Sequence, residues 1–198
     1  MTGVYARALG GAVSELHPKV QERYGTESGP GVVTVGRGEM DVSNGLLARP
    51  ALYAMTTQNL LFPETGTDVP FTVTSVEYLT DAGHQVLGMR REFEFDGAVR
   101  RFDSRTLWDA DGERLLDFLG SGGRLVSELL PRVEDGALVV EGGRQWLRAV
   151  GRYLPLPGPL GTNVTVRDYY DEEAERLHVH ASLRSTLVGE IVTYDGQF

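Results

Sequence analysis

Cysteine is missing from this 198-residue chain, and its absence removes several chemistries at once. No disulfide framework, thiolate nucleophile or cysteine-built zinc site can form. Long apolar runs are missing too: no stretch approaches the roughly 20 apolar residues a membrane-spanning helix needs. Met1 to Val13 has neither a basic start nor a long apolar run, so no secretion signal is expected and the chain reads as cytoplasmic. Positive charge is scarce as well. The formal net charge is −9, and the arginines are scattered along β-like segments without forming a basic stripe. Such a surface repels phosphate backbones and anionic lipid, so neither nucleic acid nor a membrane is an expected partner.

Common catalytic signatures are also lacking. Gly36-Arg37-Gly38 has neither the third glycine nor the following helix of a dinucleotide loop, and no phosphate loop occurs. Gly120-Ser121-Gly122-Gly123 fails the spacing of a nucleophile elbow and reads as a turn. His178 and His180 share one face of an expected strand, but their phase also carries Arg176 and Ser182, the pattern of a solvated or lumen-lining pair. A third ligand from His17, His84 or a carboxylate cannot be placed by spacing. No metal and no organic cofactor are expected.

The patterning that is present changes character along the chain. Tyr5, Leu9, Val13, Leu16 and Val20 recur at helical steps, with Pro18 placed to split the last turn. A second helical segment falls within 46–61, starting near Arg49 because Pro50 suits a first turn. From Val69 the period becomes two. Leu87, Met89, Phe93 and Phe95 alternate with Gly88, Arg90, Glu92 and Glu94, and the hairpin signal Asp96-Gly97 follows. Further strands are expected at 102–108, 114–119, 125–130, 137–141, 145–153, 163–170, 176–183 and 187–194, and an earlier one at 32–42. The Pro-rich 154–161 stretch reads as a loop. Short strands at regular spacing without βαβ alternation predict one mainly β domain over residues 1–198. Its architecture is an antiparallel β-barrel or strongly curved sheet with N-terminal helices.

Polar residues that break an apolar phase are the candidate site. Arg91 interrupts Leu87, Met89, Phe93 and Phe95. Ser104 shares a face with Phe102, Thr106 and Trp108. Asp168 aligns with Val164, Val166 and Tyr170, and Glu190 with Val188, Val192 and Tyr194. If these phases point inward, a guanidinium, two carboxylates and a hydroxyl enter an apolar interior, and Arg91 should meet Asp168 or Glu190. A structural ion pair and a functional cavity both satisfy that pattern.

The same residues carry a family resemblance over nearly the whole chain. Leu16-His17-Pro18 with Tyr24-Gly25, Gly36-Arg37-Gly38 with Met40, Arg91-x-Phe93, Phe102, Ser104 and the Leu183–Gly196 run ending in Tyr194-x-Gly196 stand in this order. With them the chain resembles the bacterial domain of unknown function 4166. Leu183-Arg184-Ser185-Thr186-Leu187 is more polar than the family's approach to its last strand. The resemblance implies no established chemistry and transfers no catalytic residue. A looser analogy, in size and aromatic-rich strands, links the chain to cofactor-free β-barrel cyclases of polyketide pathways.

Together these readings give three functional expectations. The leading one is a cofactor-free cyclase, of the [4+2] or a related rearrangement type, acting on a hydrophobic polyketide-like molecule. Arg91, Ser104, Asp168 and Glu190 would polarise a carbonyl there, and Phe93, Phe95, Trp108, Tyr169, Tyr170 and Tyr194 would shape the cavity. The alternative is a non-catalytic carrier of a lipid-like ligand. A third is an accessory protein docking a partner enzyme through its acidic face. A homodimer is left open.

Overall fold

Residues 3–24 and 31–198 are described by a computed structural model. Eleven strands follow the alternating pattern: β1 (Val33–Asn44), β2 (Gly66–Leu79), β3 (Gln85–Phe95), β4 (Ala98–Asp109), β5 (Arg114–Leu119), β6 (Leu125–Glu134), β7 (Ala137–Ala149), β8 (Arg152–Pro155), β9 (Thr162–Asp171), β10 (Arg176–Ser185) and β11 (Gly189–Gln197). Ten of them close into an antiparallel barrel, each pairing with the next in sequence except where β7 meets β9, and β11 returning to β1. An up-and-down meander closes with antiparallel pairing only when the strand number is even, and closure leaves no open edge. Short turns suffice for such a path. At the β6–β7 hairpin Asp135 and Gly136 both take positive φ (49° and 77°), the turn geometry that matches the twist of the flanking strands.

The alternation sorts side chains into the lumen and the outer face, and two helical plugs fill the lumen from either side. The first comprises α1 (Val4–Leu9), a 3-10 turn over Gly10–Glu15, and α2 (Pro18–Tyr24). Pro18 begins α2, as its missing N–H allows, and splits the amphipathic stripe there. The His17 Nδ1 accepts the Lys19 N–H at 3.2 Å, capping α2, while the His17 N–H donates to the Gly136 carbonyl at 2.8 Å. Val4, Tyr5, Leu16, Val20 and Tyr24 pack on Leu87, Met89, Leu115, Leu129 and Leu138. The second plug is α3 (Arg49–Thr56) with Leu61 and Phe62. Leu52 is fully buried there, against a wall that includes Phe71 and Phe93. Leu47, within the 46–61 segment read as helical, precedes α3 and stays 74% exposed.

Three departures from the alternating pattern have local causes. Residues 137–141 and 145–149 form one strand, β7, because the excess residues around Gly142-Gly143 are absorbed as a bulge opposite Glu128. The Pro-rich stretch starts inside β8 and holds a 3-10 turn at Gly158–Leu160. A third irregularity lies in β11. Leu183 pairs with Val192 but Arg184 pairs with Glu190, so Ile191 is an extra residue and the phase inverts below it.

β8 and β9 share one edge of β7 and leave the ladder broken between Glu141 and Trp146. Gln145 bridges the break. Its carboxamide donates to the Thr162 carbonyl and accepts the Thr162 N–H, both at 2.8 Å, in imitation of a backbone pair. Gln145→Ala would leave both Thr162 groups unpaired at a cost of about 1–3 kcal/mol. At roughly 2–4 °C per kcal/mol for a domain of this size, thermal denaturation should show a drop of several degrees. Hydrogen exchange should show faster loss of the Thr162 amide.

Candidate functional site

Between the plugs the lumen turns polar. Arg91 on β3 stands opposite Val73 and Phe102, Ser104 and Thr106 on β4 follow on the same face, and Asp117 on β5 pairs with Thr106 and Ser127. Asp168 enters from β9 and Tyr194 from β11. Tyr5 and Tyr24 reach in from the N-terminal plug. These groups surround a cavity of about 80 Å³ whose remaining wall is apolar, with Leu129, Val140 and Val166 among its residues. A larger depression of about 510 Å³ lies outside, over β2–β4. It is open to solvent, and its Arg90 and Asp103 face each other at 3.6 Å, so its charges are answered locally.

Asp168, 7% exposed, accepts the Tyr24 hydroxyl at 2.6 Å. Asp117, 8% exposed, accepts the Thr106 hydroxyl at 3.0 Å. Half-buried Arg91 donates to the Ser104 hydroxyl at 3.3 Å and approaches the Met89 sulfur at 3.6 Å. Its guanidinium carbon lies 4.7 Å from the centre of the Phe102 ring, in cation–π range. Among the described residues no carboxylate stands within ion-pair distance of it. The expected contact with Asp168 or Glu190 is therefore not made: Tyr24 holds Asp168, and the Ile191 bulge turns Glu190 to the outer face, where it accepts from Ser43 at 3.2 Å.

Burial governs protonation here. It pushes the Asp117 carboxyl above the usual range, and Arg91, Thr106 and Ser104 offset this only in part. It pushes Asp168 up likewise, against Arg23, the Tyr24 hydrogen bond and Arg91. Tyr24 is raised by burial and by the neighbouring Asp168, and burial also raises Tyr5 and Tyr194. The lumen thus offers a fixed cation, carboxyls that favour their protons and neutral phenols.

Four of the expected residues, Arg91, Ser104, Asp168 and Tyr194, meet in this layer. Phe93 and Phe95 point inward but belong to the α3 plug, where their rings lie 5.0 and 5.4 Å from Phe62. Trp108 and Tyr170 pack against the N-terminal plug, Tyr170 stacked on His17 at 4.7 Å. Tyr169 is out of phase and stacks on His178 outside the barrel at 4.8 Å. His178 and His180 both contact Asp195 on the outer face, at 3.0 and 2.6 Å. Among the described residues no group of three or more His, Asp or Glu is placed to hold a metal ion, and no helix is long and apolar enough to cross a membrane. Asp117, Tyr5 and Tyr24 complete the layer without having been expected in it.

Comparison with known proteins places the chain. The family described as domain of unknown function DUF4166 matches residues 16–198. The chain belongs to the DUF4166 family. It is 32% identical over 188 residues to the uncharacterized protein YndH of Bacillus subtilis (strain 168), covering 92% of this chain and 90% of that protein. No solved structure matches.

The pieces that carry the DUF4166 likeness have physical roles. Leu16-His17-Pro18 and Tyr24 build and latch the N-terminal plug; Gly25 lies outside the described residues. A Cβ at Gly38 would overlap the Gln197 carbonyl, and one at Gly196 would overlap the Glu39 carbonyl, so these glycines let β1 and β11 close. Arg91 and Ser104 are the polar layer itself.

Two predictions follow from this electrostatic arrangement. Arg91 is enclosed without a countercharge in contact, so Arg91→Met removes a desolvated cation while conserving much of its volume. Burying an ion costs several kcal/mol, more than one neutral hydrogen bond returns. The variant should melt at or above the wild-type temperature, and a large drop would mean that Arg91 is structural. The second prediction concerns pH. A carboxyl raised in the fold above its unfolded value of about 3.9 stabilises fully below that pH, and this stability is lost as pH rises through the folded value. Melting temperature should therefore fall as pH rises above about 4, and less so in Asp117→Asn. Glu64, Asp109 and Glu128, lowered in the fold, act below that window.

Proposed function

We propose that this DUF4166 protein binds a hydrophobic small molecule in the barrel lumen, as a cytoplasmic carrier or binding protein. The observation that carries the reading is the Arg91 layer: a cation, carboxyls and phenols held around a cavity between two apolar plugs. A structural ion pair would bring the charges into contact, whereas here the cation and the carboxyls stand apart around the cavity. Pockets for drug-sized ligands span about 300–1,000 Å³. The 80 Å³ between the plugs therefore suits one polar end of a ligand, and the apolar remainder must displace plug side chains.

One observation favours a second, catalytic reading. Burial biases the Asp117 and Asp168 carboxyls toward their protonated form near Arg91, so a carbonyl in the cavity would meet a cation together with carboxyls shifted toward the acid. Such polarisation draws electron density from a conjugated polyene and eases a [4+2] cyclisation. In that step three π bonds become two carbon–carbon σ bonds and one new π bond, with no change of mass and no redox partner.

Both readings are separable in one experiment. Purified protein is incubated with a conjugated polyene carrying a carbonyl end, and the complex is examined by native mass spectrometry and ultraviolet absorbance. A one-to-one complex with diene absorbance preserved is the carrier's result, and equal mass with diene absorbance lost at catalytic turnover is the cyclase's. Val140→Phe, which fills the cavity wall, should weaken binding at least tenfold. Undiminished binding in that variant would place the ligand outside the lumen.

A further inference from the structure

We infer that the polar layer is a receptor for a carboxylate, and that the ligand class is a long-chain monocarboxylic acid; this rests on the lumen-binding reading above. The hydrogen-bonding capacity left open at the cavity decides the class. Its carboxyls are engaged, Asp168 by Tyr24 and Asp117 by Thr106. Its donors are not. The Tyr5 and Tyr194 side chains, 6% and 5% exposed, line the cavity, and their hydroxyls make no hydrogen bond among the described residues. Arg91 has only a serine hydroxyl and a thioether. A ligand that completes this layer must bring acceptors, and a negative charge answers the half-buried guanidinium that has no countercharge in contact.

A carboxylate meets both needs. Its two coplanar oxygens match the planar fork of arginine. A neutral ester or alcohol supplies an acceptor without a countercharge. A dianion such as a phosphate monoester would bring a second charge that the one basic side chain lining the cavity among the described residues leaves unanswered, and a cation is refused by Arg91. The uncharged wall of the same cavity, Leu119, Leu129, Val140, Val164 and Leu183, gives the chain behind the head an apolar course. Raised carboxyls also fit this class, since a carboxyl shifted toward its protonated form repels an incoming anion less.

Calorimetric titration of the whole protein at pH 8 with dodecanoic acid, methyl dodecanoate and dodecanol tests the assignment. The acid should bind at least tenfold tighter than the ester or the alcohol. In Arg91→Met that advantage should vanish, leaving the acid no tighter than the ester. Equal affinity of all three ligands for the wild type would overturn the head-group assignment and leave the lumen reading standing. Binding of none would overturn both. An acid preference that persists in a folded Arg91→Met would remove Arg91 from the receptor. Should that variant fail to fold, the wild-type series alone still decides for or against a carboxylate.

Discussion

The guanidinium of Arg91 is the group around which the interior is arranged. Arginine does not give up its proton inside a protein, so its charge persists however dry the lumen becomes. Every neighbouring choice can be read as a response to it. The Phe102 ring offers its face, Ser104 its oxygen and Met89 its polarisable sulfur, while two acids stand near enough to feel the charge without touching it. A fold selected for stability alone would replace such a cation with an apolar side chain. Keeping it is the local inconsistency on which the binding proposal rests.

The barrel makes that inconsistency affordable. Closure removes edge strands, and two separate apolar plugs flank the polar layer. Burial on both sides explains why the carboxyls are raised without a partner cation in contact. The same burial explains why the layer is so small. Glycines at Gly38 and Gly196 allow β1 and β11 to approach closely enough to close the ring, and Gln145 bridges the break in the ladder between β8 and β9.

Period-two alternation is a one-dimensional code, and it was legible wherever the strand stayed regular. Arg91, Ser104 and Asp168 could be singled out because each breaks an apolar phase that the barrel does turn inward. Glu190 satisfied the same test and still faces out, because a single inserted residue at Ile191 inverts the phase and bulges leave no mark in the period. Asp117 was within reach of the rule, standing between Leu115 and Leu119. Its six-residue strand, however, offers too few alternations to reveal a break. Tyr5 and Tyr24 were not legible at all. A helical stripe shows that a face is buried, and only the tertiary docking of α1 and α2 shows that this face ends in the polar layer.

That docking ties the proposed ligand to the plug that excludes it. Tyr24 holds the plug to Asp168, His17 anchors it to the Gly136 carbonyl, and Arg23 lies 4.5 Å over the Phe198 ring. Apolar contact holds both plugs and is lost gradually as area is exposed. The bonds that tie the N-terminal plug to Asp168 and Gly136 are directional, and they are lost abruptly when a donor or acceptor is taken. A carboxylate at Arg91 sits among the same hydroxyls and acids that make those bonds, so it competes with the latch at the place where the latch closes. Occupancy and plug position are then linked through shared atoms. The linkage works in both directions, because a ligand shifts a conformational equilibrium only by its difference in affinity for the two states.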